Sequence, residues 1–115
     1  MPDLTHMTCV PCKGGIPPLT PEQVRELLPQ VPLWQVVERD GVPQLVRVFP
    51  VKNFNAALSL ANRTGAIADQ QDHHPTLLLE YRRVTVTWWT HAIHGLHQND
   101  FIMAAKTDRL YDLQD

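Results

Sequence analysis

The sequence predicts an α+β fold: one four-stranded antiparallel sheet with helices packed on one face, in the order α-β-β-α-β-β-α. Three observations carry this. Runs of β-forming residues flank Asp40-Gly41, a dipeptide suited to a tight hairpin turn. A second such run, "VTVTWWTHA", alternates cleanly, with Val84, Val86 and Trp88 on one face and Thr85, Thr87, Trp89 and His91 on the other. Three stretches with helical spacing begin at capping residues, near Thr20, Asn53 and Asn99 or Asp100. The 115 residues, 43% of them hydrophobic, suffice for a single domain with its own core.

Residues 1–19 read as an irregular arm, because Gly14, Gly15, Pro17 and Pro18 break any regular element. Residues 20–115 form the domain. In "TPEQVRELL", Thr20 caps a helix, Pro21 suits its first turn and Gln23 completes a capping box, which predicts a helix over about 21–29. Strands are expected near 33–39 and 44–50, with Pro43 tolerated at the start of the second. A second helix runs from the Asn53 cap to about residue 70, with Phe54, Ala57, Leu58, Ala61 and Gly65 at helical spacing and small residues for close approach to a sheet. "TLLLEY", a turn at Arg82-Arg83 and "VTVTWWTHA" form the second hairpin, and "NDFIMAAKTDRLYDL" forms the last helix.

Ten basic against twelve acidic side chains give a formal charge of -2, which argues against a partner of nucleic acid or anionic membrane held by bulk electrostatics. No apolar run approaches the roughly 20 residues of a membrane span, and "MPDLTHMTCVPCK" has no apolar signal core; the cytosol is the expected address. Cys9 and Cys12 form a C-x-x-C pair in a Gly- and Pro-rich setting. As half a zinc knuckle it lacks a second cysteine pair, and as a redox motif it lacks the flanking strand and helix, so reduced thiols are the plainer reading. Zinc completed by His6, a later histidine or a second subunit is the alternative.

Five of the six histidines fall between 73 and 97. In "QDHHP" adjacent imidazoles on extended backbone point to opposite sides, and Pro75 keeps His74 extended and ends the preceding helix. An antiparallel hairpin brings His73 and His74 near His91, and imidazoles exchange protons readily at neutral pH. Asp69, Asp72 and Asp100 can each orient an imidazole. Plainer roles exist for all: an exposed polar residue for a histidine, a helix cap for Asp100, a turn for Asp72, core for Trp88 and Trp89. His91, His94 and His97 have three-residue steps that a metal site could use, but Gly95 and the end of the strand interrupt them.

Asp69, three residues, His73-His74-Pro75, five residues, Tyr81, nine residues, His91, eight residues and Asp100 make a pattern spanning 32 residues. It resembles the signature of the pterin-4a-carbinolamine dehydratases, as do "LWQVV", "VFPVKNFNAAL" and "GLHQNDFIMAAKTDRL"; the similarity covers about residues 20–112, and "CVPCKGG" resembles the bacterial branch. The resemblance implies the same α+β fold, a homodimer or homotetramer, and removal of water from 4a-hydroxytetrahydropterin to give quinonoid dihydropterin without metal or organic cofactor. It further implies that His73 and His91 are the acid/base pair and His74 mainly a pterin contact. Asp100 would support the histidines and Asp72 the loop. Asp69 stands where many members have glutamate, and Asn99 where animal members have arginine. Relatives also serve as a transcription-factor dimerisation cofactor or in RuBisCO assembly in α-carboxysome systems, so a catalytically silent protein-binding role is the alternative.

Overall fold

The computed structural model describes residues 4–10 and 16–113. Among these, α1 (Pro21–Leu27), β1 (Gln35–Arg39), β2 (Val42–Pro50), α2 (Phe54–Gln71), β3 (Thr76–Glu80), β4 (Arg83–Trp88) and α3 (Gln98–Asp112) follow in the expected order. Single 3-10 turns occupy Leu4–His6, Leu28–Gln30 and His91–Ile93. The strands form one antiparallel sheet in the order β1-β2-β4-β3. No described helix is long and apolar enough to cross a membrane.

Local chemistry explains the element boundaries. Thr20 Oγ1 accepts from the Gln23 N–H while the Gln23 side chain accepts from the Thr20 N–H, closing the capping box of α1. Pro29 has no N–H to return to Arg25, so the α-helix stops at Leu27 and tightens into a 3-10 turn instead of running to 29. Asp40 and Gly41 both have positive φ, 53° and 77°, as a type I′ turn requires. Pro43 pairs opposite Glu38 and precedes Leu45, where pairing of β2 with β4 begins, so its missing N–H costs nothing on that side.

The core lies between the sheet and the helices. Leu45 and Phe49 of β2 stand beside Trp88 and Val84 of β4, with Val86 between the latter pair, and all five are buried. Facing them, α2 presents Ala57, Leu60, Thr64 and Ala68, and α3 presents Phe101, Ile102, Ala104 and Ala105. The buried stripe of α2 is rotated from the one its largest side chains suggest, since Phe54 and Leu58 are exposed. Gly65 is not the point of closest approach: a Cβ there would meet nothing within 4 Å. Ala57 and Ala68 of α2 face the core instead.

One polar cluster ties β2 to α3. Asp108 accepts from Trp34 Nε1 at 2.8 Å and from Arg47, whose guanidinium lies 4.2 Å above the Phe49 ring. Burial pushes the Asp108 carboxyl above its ordinary value, against the opposing pull of these donors. The described start of the arm is anchored as well. Leu4 is buried in the core, and Lys106 Nζ donates to the Thr5 carbonyl at 2.9 Å.

Phe49 is fully buried, with Trp34 and Tyr111 edge-on at 5.8 and 5.0 Å. Phe49→Ala is expected to lower unfolding free energy by about 3–5 kcal/mol, measured by urea titration; a loss under about 1 kcal/mol would contradict this packing.

Candidate active site

α2 ends on Asp72, whose backbone adopts the left-handed conformation (φ 53°, ψ 43°). Aspartate tolerates this better than most residues. The His73 N–H then donates back to the Ala68 carbonyl at 3.1 Å, closing the helix end. The turn sends the two neighbouring imidazoles apart: the His73 side chain is 9% exposed and that of His74 57%. Asp72 thus shapes the loop through its backbone, and its side chain also lines the cavity described below.

His73 is held on two sides. Its ring lies nearly parallel to that of Trp88, 10° apart with centroids at 5.8 Å, and its Nε2 is 2.6 Å from Asp100 Oδ1. A carboxylate only accepts, so this contact assigns the proton to Nε2. Asp100 is fully buried, and its Oδ2 accepts from the Thr90 hydroxyl at 2.7 Å and the His97 N–H at 2.9 Å. His97 is the N-cap of α3, and its Nδ1 accepts from the Asn99 N–H at 3.0 Å. The last helix therefore opens at Gln98, one or two residues before the expected Asn99 or Asp100. The cap is a histidine ring, a less common choice than Ser, Thr, Asp or Asn.

His91 lies beyond the end of β4, as the first residue of a 3-10 turn. Thr90 and Gly95 exchange backbone hydrogen bonds of 2.9 and 3.4 Å, and His94 takes positive φ to close the loop. The His91 ring stacks on Trp89 with centroids 3.8 Å apart. His73, His74 and His91 line one cavity of about 400 Å³. Asp69 and Asp100 do not line it; they hold His74 and His73 from outside, Asp69 through an exposed contact of 2.9 Å. Tyr81, the remaining residue of the spaced pattern, is exposed in the turn between β3 and β4 and lines no part of this cavity.

Several lining residues are not among the site residues the sequence suggests: Cys9, Val10, Gln71 and Asn99 join the histidines, as do Trp89 and Thr90 beside His91. The arm residues arrive through irregular backbone, which has no periodicity to read. Cys12 lies outside the described residues. His91, His94 and His97 take separate places, in the cavity, on an exposed turn and at the cap of α3. Among the described residues no group of three or more His, Cys, Asp or Glu is placed to hold a metal ion.

The Cys9 thiol is pushed up to about 11 from 9.0, first by burial and then by Asp100, with Lys106 pulling the other way. The folded state therefore holds this proton more tightly than the unfolded chain. The stabilisation is complete below about pH 9 and is lost as pH rises toward about 11. In a Cys12→Ser background, iodoacetamide at pH 8 is expected to alkylate Cys9 much more slowly in the folded protein than in urea; equal rates would rule out the raised value. Asp100→Ala leaves three donors without their buried acceptor and is expected to cost about 3–5 kcal/mol, read from thermal unfolding. Asp100→Asn, which keeps one acceptor oxygen, should cost less.

Residues 17–110 match the family model described as pterin 4 alpha carbinolamine dehydratase. A protein of Nitrosococcus oceani, provisionally named pterin-4-alpha-carbinolamine dehydratase, is 54% identical over 96% of this chain and 97% of its own. One of Chlorobium luteolum with the same provisional name is 48% identical over the same shares, 96% and 97%. The crystal structure of a Brucella melitensis protein described as a transcriptional coactivator/pterin dehydratase superposes with a TM-score of 0.74 at 32% identity, covering 82% of this chain and 98% of that one. With most of its length matched by the family model and by relatives in two organisms, the chain belongs to the pterin 4 alpha carbinolamine dehydratase family.

Proposed function

We propose that this protein dehydrates 4a-hydroxytetrahydropterin to quinonoid dihydropterin, in the recycling of tetrahydropterins. The observation that supports this best is the convergence of His73, His74 and His91 on one cavity, with His73 held by buried Asp100. Three imidazoles around one opening have no evident use in packing, whereas proton transfer at neutral pH needs this residue type.

The reaction breaks the C4a–O bond. A ring-nitrogen lone pair moves in to form a C=N bond, the hydroxyl takes a proton and leaves as water, and a ring N–H gives its proton up. One water is lost and nothing is oxidised or reduced. One imidazole acts as acid at the hydroxyl and the other as base at the ring N–H, and His73 and His91 take these roles. His74, more exposed and tethered to Asp69, contacts the pterin. Asp100 positions His73, and Asp72 shapes the loop. No metal or organic cofactor enters the scheme.

A second reading, a protein-binding role, draws on the coactivator half of the Brucella melitensis relative's description and on Phe54 and Leu58, which stand exposed on α2. It is compatible with catalysis, and both fit a homodimer or homotetramer.

Stopped-flow absorbance of 4a-hydroxytetrahydropterin decay tests the main reading. His73→Ala and His91→Ala are each expected to slow turnover by about 10²–10⁴-fold with the fold retained, and His74→Ala mainly to raise KM. Folded wild-type protein that fails to accelerate the decay would leave the protein-binding role as the function.

A further inference from the structure

Residues 7–10 have no regular structure, yet the backbone of Cys9 and Val10 is bound to side chains rather than left to water. The Cys9 N–H donates to Gln71 Oε1 at 2.8 Å. The Val10 N–H donates to Asn99 Oδ1 at 3.0 Å, and Asn99 Nδ2 donates to the Val10 carbonyl at 2.7 Å. One amide side chain thus satisfies both backbone groups of a single residue, as a neighbouring strand would. Asn99 is only 2% exposed, and the pairing engages both its amide oxygen and its amide nitrogen. The Cys9 thiol adds a weak contact of 3.9 Å to the Asn99 carbonyl.

The two anchors sit beside the proposed chemistry in sequence and in space. Gln71 lies two residues before His73 and Asn99 one before Asp100, and both line the same cavity as Cys9 and Val10. Val10 remains 56% exposed, so its placement is not explained by burial in the core. Its isopropyl group and the uncharged Cys9 thiol make one side of the cavity neutral, in contrast to the imidazoles elsewhere. Such a surface discriminates by bulk, not by charge.

We propose that Cys9 and Val10 form a wall of the substrate site that limits the size of the group carried by the pterin ring, with Asn99 and Gln71 as positioning residues. The inference rests on the dehydratase reading and adds a determinant of substrate choice contributed by the N-terminal segment.

The test compares full-length wild type, Val10→Trp and Asn99→Ala on two 4a-hydroxytetrahydropterins, one with a methyl and one with a dihydroxypropyl group at C6. Binding of the matching tetrahydropterins is followed in parallel by tryptophan fluorescence. Val10→Trp is expected to raise KM and Kd for the larger substrate by about tenfold or more, and clearly less for the methyl one. Asn99→Ala releases the wall and should narrow the wild-type difference in KM between the two substrates. Val10 is exposed, so Val10→Trp should fold even if Asn99→Ala does not. Unchanged constants in Val10→Trp, or an equal rise for both substrates, would overturn the wall. Failure of the parent reading looks different: wild type would then neither turn over nor bind either pterin.

Discussion

A single buried carboxylate organises this molecule. Asp100 has no contact with solvent, and an acceptor in that position is tolerated only when donors surround it. Its donors come from three separate places: His73 after α2, Thr90 after β4, and the His97 N–H that opens α3. The start of α3 also favours negative charge through its aligned peptide dipoles. One oxygen closes the helix cap and the other holds the histidine. Stability and the arrangement of the site therefore depend on the same two atoms.

The sheet supplies the second constraint. Pairing of Thr76 with Thr87 sets the segment that precedes β3 beside the one that follows β4. This register lets residues 73–74 and 89–91 share a cavity. A slip of one residue would turn Val84, Val86 and Trp88 out of the core along with it, so the packing that stabilises the hairpin also fixes which imidazoles meet.

Where short-range chemistry decides the outcome, the sequence was readable. Asp40-Gly41, the Thr20 capping box and the Asn53 cap, whose side chain accepts from the Ala56 N–H at 2.8 Å, all act within a few residues. The alternation of β4 is equally plain, and the histidines that the family resemblance singles out share one cavity. What escaped is non-local. The helical stripe of α2 is set by which side the sheet and α3 cover, so Leu60 and Thr64 are buried while Phe54 and Leu58 are not. The His97 cap was hidden because Asp100 looked like the better one, and its side chain is committed to His73 and Thr90 as well. The arm's attachment depends on single side chains 62 to 101 residues away, which no periodicity announces.

Those long separations have a consequence for synthesis. Val10 and Thr5 leave the ribosome early, whereas their partners Asn99 and Lys106 are among the late residues to be made. Closing so large a loop is entropically slow, and it cannot begin while the partners are still untranslated. The N-terminal segment must therefore wait, unpaired and with Leu4 uncovered, until α3 emerges. The helix that completes the core also recruits the arm, so assembly finishes by joining segments far apart in sequence.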